Sequence, residues 1–232
     1  MMPWVGVNSI YLGVDIAGKD NTWAAALSPR NGDLEVVAPP HRASLKEILI
    51  YCEKNNVVAV AIDAQLTVAM SDESGFRTSD YELRKLLPTD CRNWVASINS
   101  LMAVPVRGRL LAETLSSIVG TLLETHPRAC LLLGLSRSAG TAVRNYKGSN
   151  PSSEEHVVKL VENWCDRFHI TPSDEVPIDH NALDSLVCAT IPYLYHHMPE
   201  KLLKLKHEAE DKTGRGPFYV AAPVSESEVS LA

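Results

Sequence analysis

The chain has 232 residues, 45% of them hydrophobic and 22% charged, and a formal net charge of −6. This is the make-up of an ordinary globular protein whose length suits one domain with insertions. The acidic balance argues against a strongly basic protein that coats nucleic acid, and it leaves room for a local basic groove.

The five cysteines (Cys52, Cys91, Cys130, Cys165 and Cys188) are odd in number and widely spaced. They suggest neither a disulfide framework nor a zinc knuckle and read as reduced thiols, mostly small core residues. No basic region precedes the first apolar stretch, and no run approaches the roughly 18 to 20 apolar residues of a membrane span. The expectation is a cytoplasmic protein with no membrane partner.

In chain order, NSIYLGVDIAG predicts a first strand over about 8–16. NTWAAALSP predicts a second and GDLEVVAPP a third. Pro29-Arg30-Asn31-Gly32 between the last two is a hairpin turn signal. RASLKEILIYCEKNN carries apolar residues at 45, 48, 49 and 52, a helical spacing, with Ser44 as its cap. NVVAVAID is a continuous apolar run of the kind buried on both faces of a sheet. Strand, helix and strand in that order predict a right-handed parallel crossover.

Residues 64–107 read as an insertion of helix and loop. Within and beyond it, TSDYELRKLLP predicts a short helix, SINSLMAVPVRGR a loop-like stretch and RLLAETLSSIVG a helix. TLLETHP predicts a short fifth strand, RACLLLGL the start of a helix, and residues 136–151 an exposed loop. Ser152 and Glu155 fit a capping box opening the helix SEEHVVKLVENWCDRFH. Asp179 is placed to cap HNALDSLVCATIPYLYHH, which is apolar on nearly every side and so buried, with Pro192 kinking or ending it. GPFYVAAP predicts a late strand, and 224–232 a flexible tail. The whole is one domain over 1–223, an α/β fold with a mixed sheet flanked by helices.

Four carboxylates stand out. Asp15 ends the first strand and Asp63 ends VVAVAID. On neighbouring parallel strands those ends lie roughly 5 Å apart, at the edge where open α/β sheets place their sites. Two carboxylates that close repel unless a cation or a proton lies between them. Asp184 falls inside the most apolar helix, where an aspartate is rarely buried unpaired; His180 is four residues before it on the same face. Glu124 ends the fifth strand in ETHP. The plain alternatives are strand-end or capping carboxylates for Asp15, Asp63 and Glu124, and an exposed polar stripe for Asp184.

Acidic side chains converging in this way form an oxygen-rich site of the kind hard cations such as Mg²⁺ or Mn²⁺ prefer. Such ions can activate water and stabilise the leaving oxygen in phosphodiester hydrolysis. Arg77, Arg84, Arg107 and Arg109 are the candidate contacts to substrate phosphates, with a solvated face as the alternative for each.

Taken together, GVDIAG, AIDAQL, GFRTSDYELRKLL, ETHP, HNALDSLVCA and GPFYVAAP resemble the domain-of-unknown-function family 429, whose members are regarded as predicted nucleases of RNase H-like fold. The likeness covers roughly residues 10–223. It implies an opening three-strand antiparallel meander followed by parallel strands. It also implies that Asp15 occupies the first-strand catalytic position and Asp63 the acidic position of the fourth strand. Asp184 would match the acidic residue of the final helix, as in the Holliday-junction resolvase branch. Glu124 matches the glutamate of the E-x-x-P motif, and Arg77, Asp80 and Arg84 match R-x-x-D-x-x-x-R. Where the family usually has Asp-Ala-Pro this chain has Asp63-Ala64-Gln65, which should loosen the loop after the strand.

The resulting expectation is a metal-dependent nuclease with Mg²⁺ or Mn²⁺ on Asp15, Asp63, Glu124 and Asp184, acting on DNA or RNA. Two other readings compete. One is an actin-like or sugar-kinase-like ATPase in which Gly18 and Lys19 approach a phosphate, although a second glycine-rich phosphate loop is missing. The other is an RNase H-like scaffold that binds without cutting. The chain has no GxxxxGK[ST] loop, and Gly134-Leu135-Ser136 lacks the closing glycine of a serine-hydrolase elbow. His196 and His197 lack the i, i+4 spacing of helical metal ligands and read as a surface pair at a helix end.

Overall fold

The computed structural model describes residues 9–18, 20–68, 74–101, 103–149, 151–171, 176–206 and 216–224. Lys19 and the tail 225–232 lie outside them. The chain opens with β1 (Ile10–Asp15), β2 (Trp23–Arg30) and β3 (Asp33–Arg42), paired antiparallel in sequence. Between β2 and β3, Asn31 has φ 54° and Gly32 φ 97°. Two successive positive φ angles suit the turns that follow the twist of a hairpin. Helix α1 (Leu45–Lys54) starts at Ser44, whose Oγ accepts from the Glu47 amide while the Glu47 carboxylate accepts from the Ser44 amide at 2.7 Å. β4 (Val57–Asp63) then returns parallel to β1.

The crossover from β4 to β5 (Thr121–Glu124) carries α2 (Thr78–Leu86), a 3₁₀ turn over Thr89–Trp94, α3 (Ile98–Leu101) and α4 (Ala103–Leu115). The loop expected over 97–109 is therefore mostly helix. Pro105 is tolerated because it lies in the first turn of α4, where its missing N–H has no helical partner to lose. Gly108 is a packing residue: a Cβ there would come within 2.4 Å of the Ala64 methyl.

After β5 come α5 (Pro127–Gly134), a 3₁₀ turn over Arg137–Ala139, α6 (Gly140–Asn145), α7 (Ser152–Phe168), β6 (Ile170–Thr171) and α8 (His180–His197). The exposed loop expected over 136–151 is in large part this turn and α6, and it buries Ala139, Ala142, Val143 and Tyr146. The expected capping box also differs. Pro151 is the N-cap of α7, it makes no side-chain cap bond, and Ser152 is already helical. Asp179 does cap α8, accepting from the Asn181 amide at 2.7 Å. That helix is buried along most of its length and runs past Pro192 to His197. β7 (Leu202–Lys204) and β8 (Tyr219–Ala221) pair antiparallel, the latter being the expected late strand. Phe218, just before β8, bridges in parallel to Glu124 on β5. The helix-end histidines are less free than expected: His197 Nε2 lies 2.7 Å from the Tyr11 hydroxyl and His196 Nε2 3.2 Å from Thr121 Oγ1.

The main sheet has six strands in the order β5-β4-β1-β2-β3-β6. The fold is α/β with a mixed sheet between two helical layers. On one face Leu12, Val14, Val60 and Ile62 pack against α1 and α4. On the other, Ala25, Leu27 and Ala61 pack with α5, α6, α7 and α8. Gly13 determines how close α8 comes. A Cβ at Gly13 would stand 2.0 Å from the Ala189 amide nitrogen and 2.3 Å from the Ser185 carbonyl oxygen. The helix backbone lies almost directly on β1, which carries Asp184 over the strand ends. Among the described residues no helix is long and apolar enough to cross a membrane.

Candidate active site

A cleft of about 370 Å³ opens at the carboxyl ends of β1, β4 and β5, with Asp15, Asp63, Glu124 and Lys147 in its lining. Asp15 and Asp63 are register partners on adjacent parallel strands. Side chains alternate along a strand, so register partners share a face. Asp15 and Asp63 therefore lie on the face that α8 covers, with Gly13 and Ala61 two residues behind them. Asp184 comes down from α8 onto the same face and is 0% exposed. Glu124 pairs in register with Ile62, not Asp63, and so belongs to the opposite face.

The electrostatics follow this division. Asp15 is 6% exposed, and burial raises its pKa well above the ordinary carboxylate range, with Asp184 and then Asp63 adding to the rise. Burial likewise pushes Asp63 up to about 6; His126 and Lys147 oppose that rise, while Asp184 and Glu124 add to it. Neither Asp15 nor Asp63 accepts a hydrogen bond from a described residue. Asp184 is held on both oxygens. The Tyr146 hydroxyl donates to Oδ1 at 2.7 Å, and the Lys147 ammonium forms an ion pair with Oδ2 at 2.5 Å. Burial favours the neutral amine of Lys147, but Asp184, Asp15 and Asp63 outweigh it and raise its pKa, so the group stays charged.

Glu124 sits in a separate ionic network. Arg77, 1% exposed, donates to both its oxygens at 2.5 and 2.7 Å and to both oxygens of Asp80 at 2.7 and 3.0 Å. The Leu66 amide adds a bond to Glu124 at 2.9 Å. Gln65 donates to Asp80 at 3.2 Å and to the Ala96 carbonyl at 3.1 Å. The loop after β4, expected to be loosened by glutamine in place of proline, is thus fastened by that glutamine.

Of the four arginines expected to meet phosphates, only Arg77 lines the cleft, and its guanidinium is committed to carboxylates. Arg84 donates to the Val95 carbonyl at 3.0 Å and stacks over Phe76. Arg107 donates to Thr22 Oγ1 at 3.2 Å. Arg109 lies on α4 outside the cleft lining. Among the described residues, the cations that reach the cleft besides Arg77 are Lys147 and Arg128, the latter 3.9 Å above the Trp94 ring. His126 accepts from the Ala129 amide through Nδ1, so its proton is on Nε2, which donates to the Trp94 carbonyl at 3.2 Å.

No protein-family model and no curated protein matches the chain. Sequence reasoning missed Lys147, Tyr146 and Arg128. A signal existed for the first two: positions 139, 142, 143 and 146 are apolar at helical spacing, which places Lys147 at the end of a buried turn rather than in an open loop.

Proposed function

We propose that the cleft is the active site of a divalent-metal-dependent nuclease of RNase H-like fold. The observation that carries this reading is the register pair Asp15 and Asp63, one buried and one half-buried carboxylate without a hydrogen-bond donor among the described residues, set at the carboxyl ends of parallel strands beside Asp184. Buried charge is expensive unless paired, and an all-oxygen donor set suits Mg²⁺ or Mn²⁺. Among the described residues no three His, Cys, Asp or Glu side chains are gathered closely enough to hold an ion unaided, so Asp15 and Asp63 would hold it with water and substrate phosphate completing its shell and Asp184 behind them. The order β3-β2-β1-β4-β5 within the sheet, an antiparallel meander followed by two parallel strands, supports the fold assignment and the resemblance to family 429.

When bound, the ion would supply activation of a water and stabilisation of the leaving oxygen of a phosphodiester. The chain's own residues provide the frame. Tyr146 and Lys147 fix the Asp184 carboxylate in one orientation. Arg77 locks Glu124 to Asp80 and the loop after β4, which makes Glu124 an anchor of the cleft wall. Lys147 and Arg128 bring positive charge to the cleft, where a nucleic-acid phosphate would enter.

The test is Mn²⁺ binding by calorimetry on the wild type and Asp15→Asn, followed by cleavage assays on single-stranded, duplex, hybrid and branched nucleic acids. Binding that disappears in Asp15→Asn, with cleavage of at least one substrate by the wild type only, is expected. Absence of Mn²⁺ binding by the wild type, with and without a substrate analogue, would overturn the reading.

A further inference from the structure

The carboxylate cluster already contains one cation. Lys147 follows α6, whose buried Ala142 and Val143, with Tyr146 beyond it, tie that segment to the core. Its ammonium is consequently held in place: it pairs with Asp184 at 2.5 Å, and its charge is felt by Asp15 and Asp63. Asp184 is wholly buried, with Tyr146 on its other oxygen. Of the three clustered carboxylates, Asp15 and Asp63 line the cleft and accept no hydrogen bond from a described residue.

We propose that Lys147 is the built-in second cation of this site, so that the protein binds one divalent ion rather than two; the inference rests on the metal-site reading above. The charge balance points the same way. Three carboxylates and one ammonium leave two negative charges, which one divalent ion neutralises. A second ion would leave the cluster with two surplus positive charges beside the buried Asp15 and Asp184, an unfavourable balance. Lys147 would thus supply, as a fixed point charge, part of the stabilisation that two-metal enzymes draw from their second ion. Its place beside Asp184 leaves Asp15 and Asp63 to hold the ion.

The experiment counts ions. Mn²⁺ is titrated into the metal-free full chain by calorimetry, and the stoichiometry is read independently by native mass spectrometry. One ion per chain is expected for the wild type and for Lys147→Arg. Two are expected for Lys147→Met, with the first bound on the order of tenfold more tightly once the like charge is gone. Two ions on the wild type would overturn the proposal without any variant having to fold. So would a single ion of unchanged affinity in Lys147→Met. No Mn²⁺ on the wild type would instead remove the metal-site reading itself, a different result from two.

Discussion

Asp15 and Asp63 face each other in register at the ends of two neighbouring parallel strands, on the one face of the sheet that α8 covers. Burial raises the pKa of both, Asp184 adds to each rise, and Asp63 adds further to that of Asp15. In the metal-free protein this repulsion works against folding. Asp15→Asn or Asp63→Asn removes one charge while keeping the side-chain shape. Each is expected to raise stability at neutral pH by about 1 to 2 kcal/mol and to weaken Mn²⁺ binding at the same time. Urea denaturation of the metal-free variants, set beside their Mn²⁺ titrations, checks both halves. A variant that loses stability and metal affinity together would argue for a purely architectural pair.

The same carboxyls set a pH dependence. The Asp63 carboxyl rises from 3.8 to about 6, and that of Asp15 is also raised. In the unfolded chain both ionise near their ordinary values, whereas in the folded chain they hold their protons to higher pH. The folded state therefore binds more protons across the window from about pH 4 to about pH 6, and stability falls as pH rises through it. Urea midpoints of metal-free protein measured across that window should decline with pH. The decline should flatten in the double variant Asp15→Asn/Asp63→Asn, while an equal slope in the two proteins would assign it elsewhere.

Arg77 offers a prediction of the opposite sign. Its guanidinium is buried and holds Glu124 and Asp80 through bidentate contacts. Removing it strands two buried carboxylates, so Arg77→Met is expected to cost about 3 to 5 kcal/mol. Arg77→Lys is also expected to be poorly tolerated, because a single ammonium cannot reproduce the two forks. Adding Glu124→Gln should restore part of the loss, since one of the stranded charges is gone. Chemical denaturation of the three proteins reads this directly, and an Arg77→Met protein as stable as wild type would refute it.

The first half of the fold was legible because its signals are local. Asn31-Gly32 closes a hairpin, Ser44 and Glu47 open a helix, and the unbroken apolar run at Val57–Ile62 requires burial on both faces. The pairing of Asp15 with Asp63 followed from strand ends alone. Two stretches misled for a common physical reason: residues that usually interrupt structure serve packing here. Pro105 occupies a first helical turn, and Gly108 makes room for Ala64. In 136–151, the glycines and charges hid an apolar spacing that anchors Tyr146 and Lys147. The arginines could not be ranked from sequence, because their partners come from distant segments: Arg77 meets Glu124 across 47 positions and Arg107 meets Thr22 across 85.

Gly13 joins the fold to the site most directly. Strand β1 and helix α8 touch backbone to backbone there, and a methyl group would overlap the Ala189 amide and the Ser185 carbonyl. Neither obstacle is a flexible side-chain end, so α8 itself would have to move away from the sheet. Gly13→Ala is expected to cost about 3 kcal/mol. It should also shift Asp184, one residue from Ser185, relative to Asp15 and Asp63. The second effect separates this substitution from an ordinary core defect. A cavity such as Leu194→Ala, buried on the same helix but well beyond the Gly13 contact, would lower stability while leaving Mn²⁺ affinity near the wild-type value. Gly13→Ala should lower both, measured by denaturation and by titration at a temperature where each variant is folded. If Gly13→Ala lost stability alone, the close approach of α8 to β1 would be a matter of packing and not of site geometry.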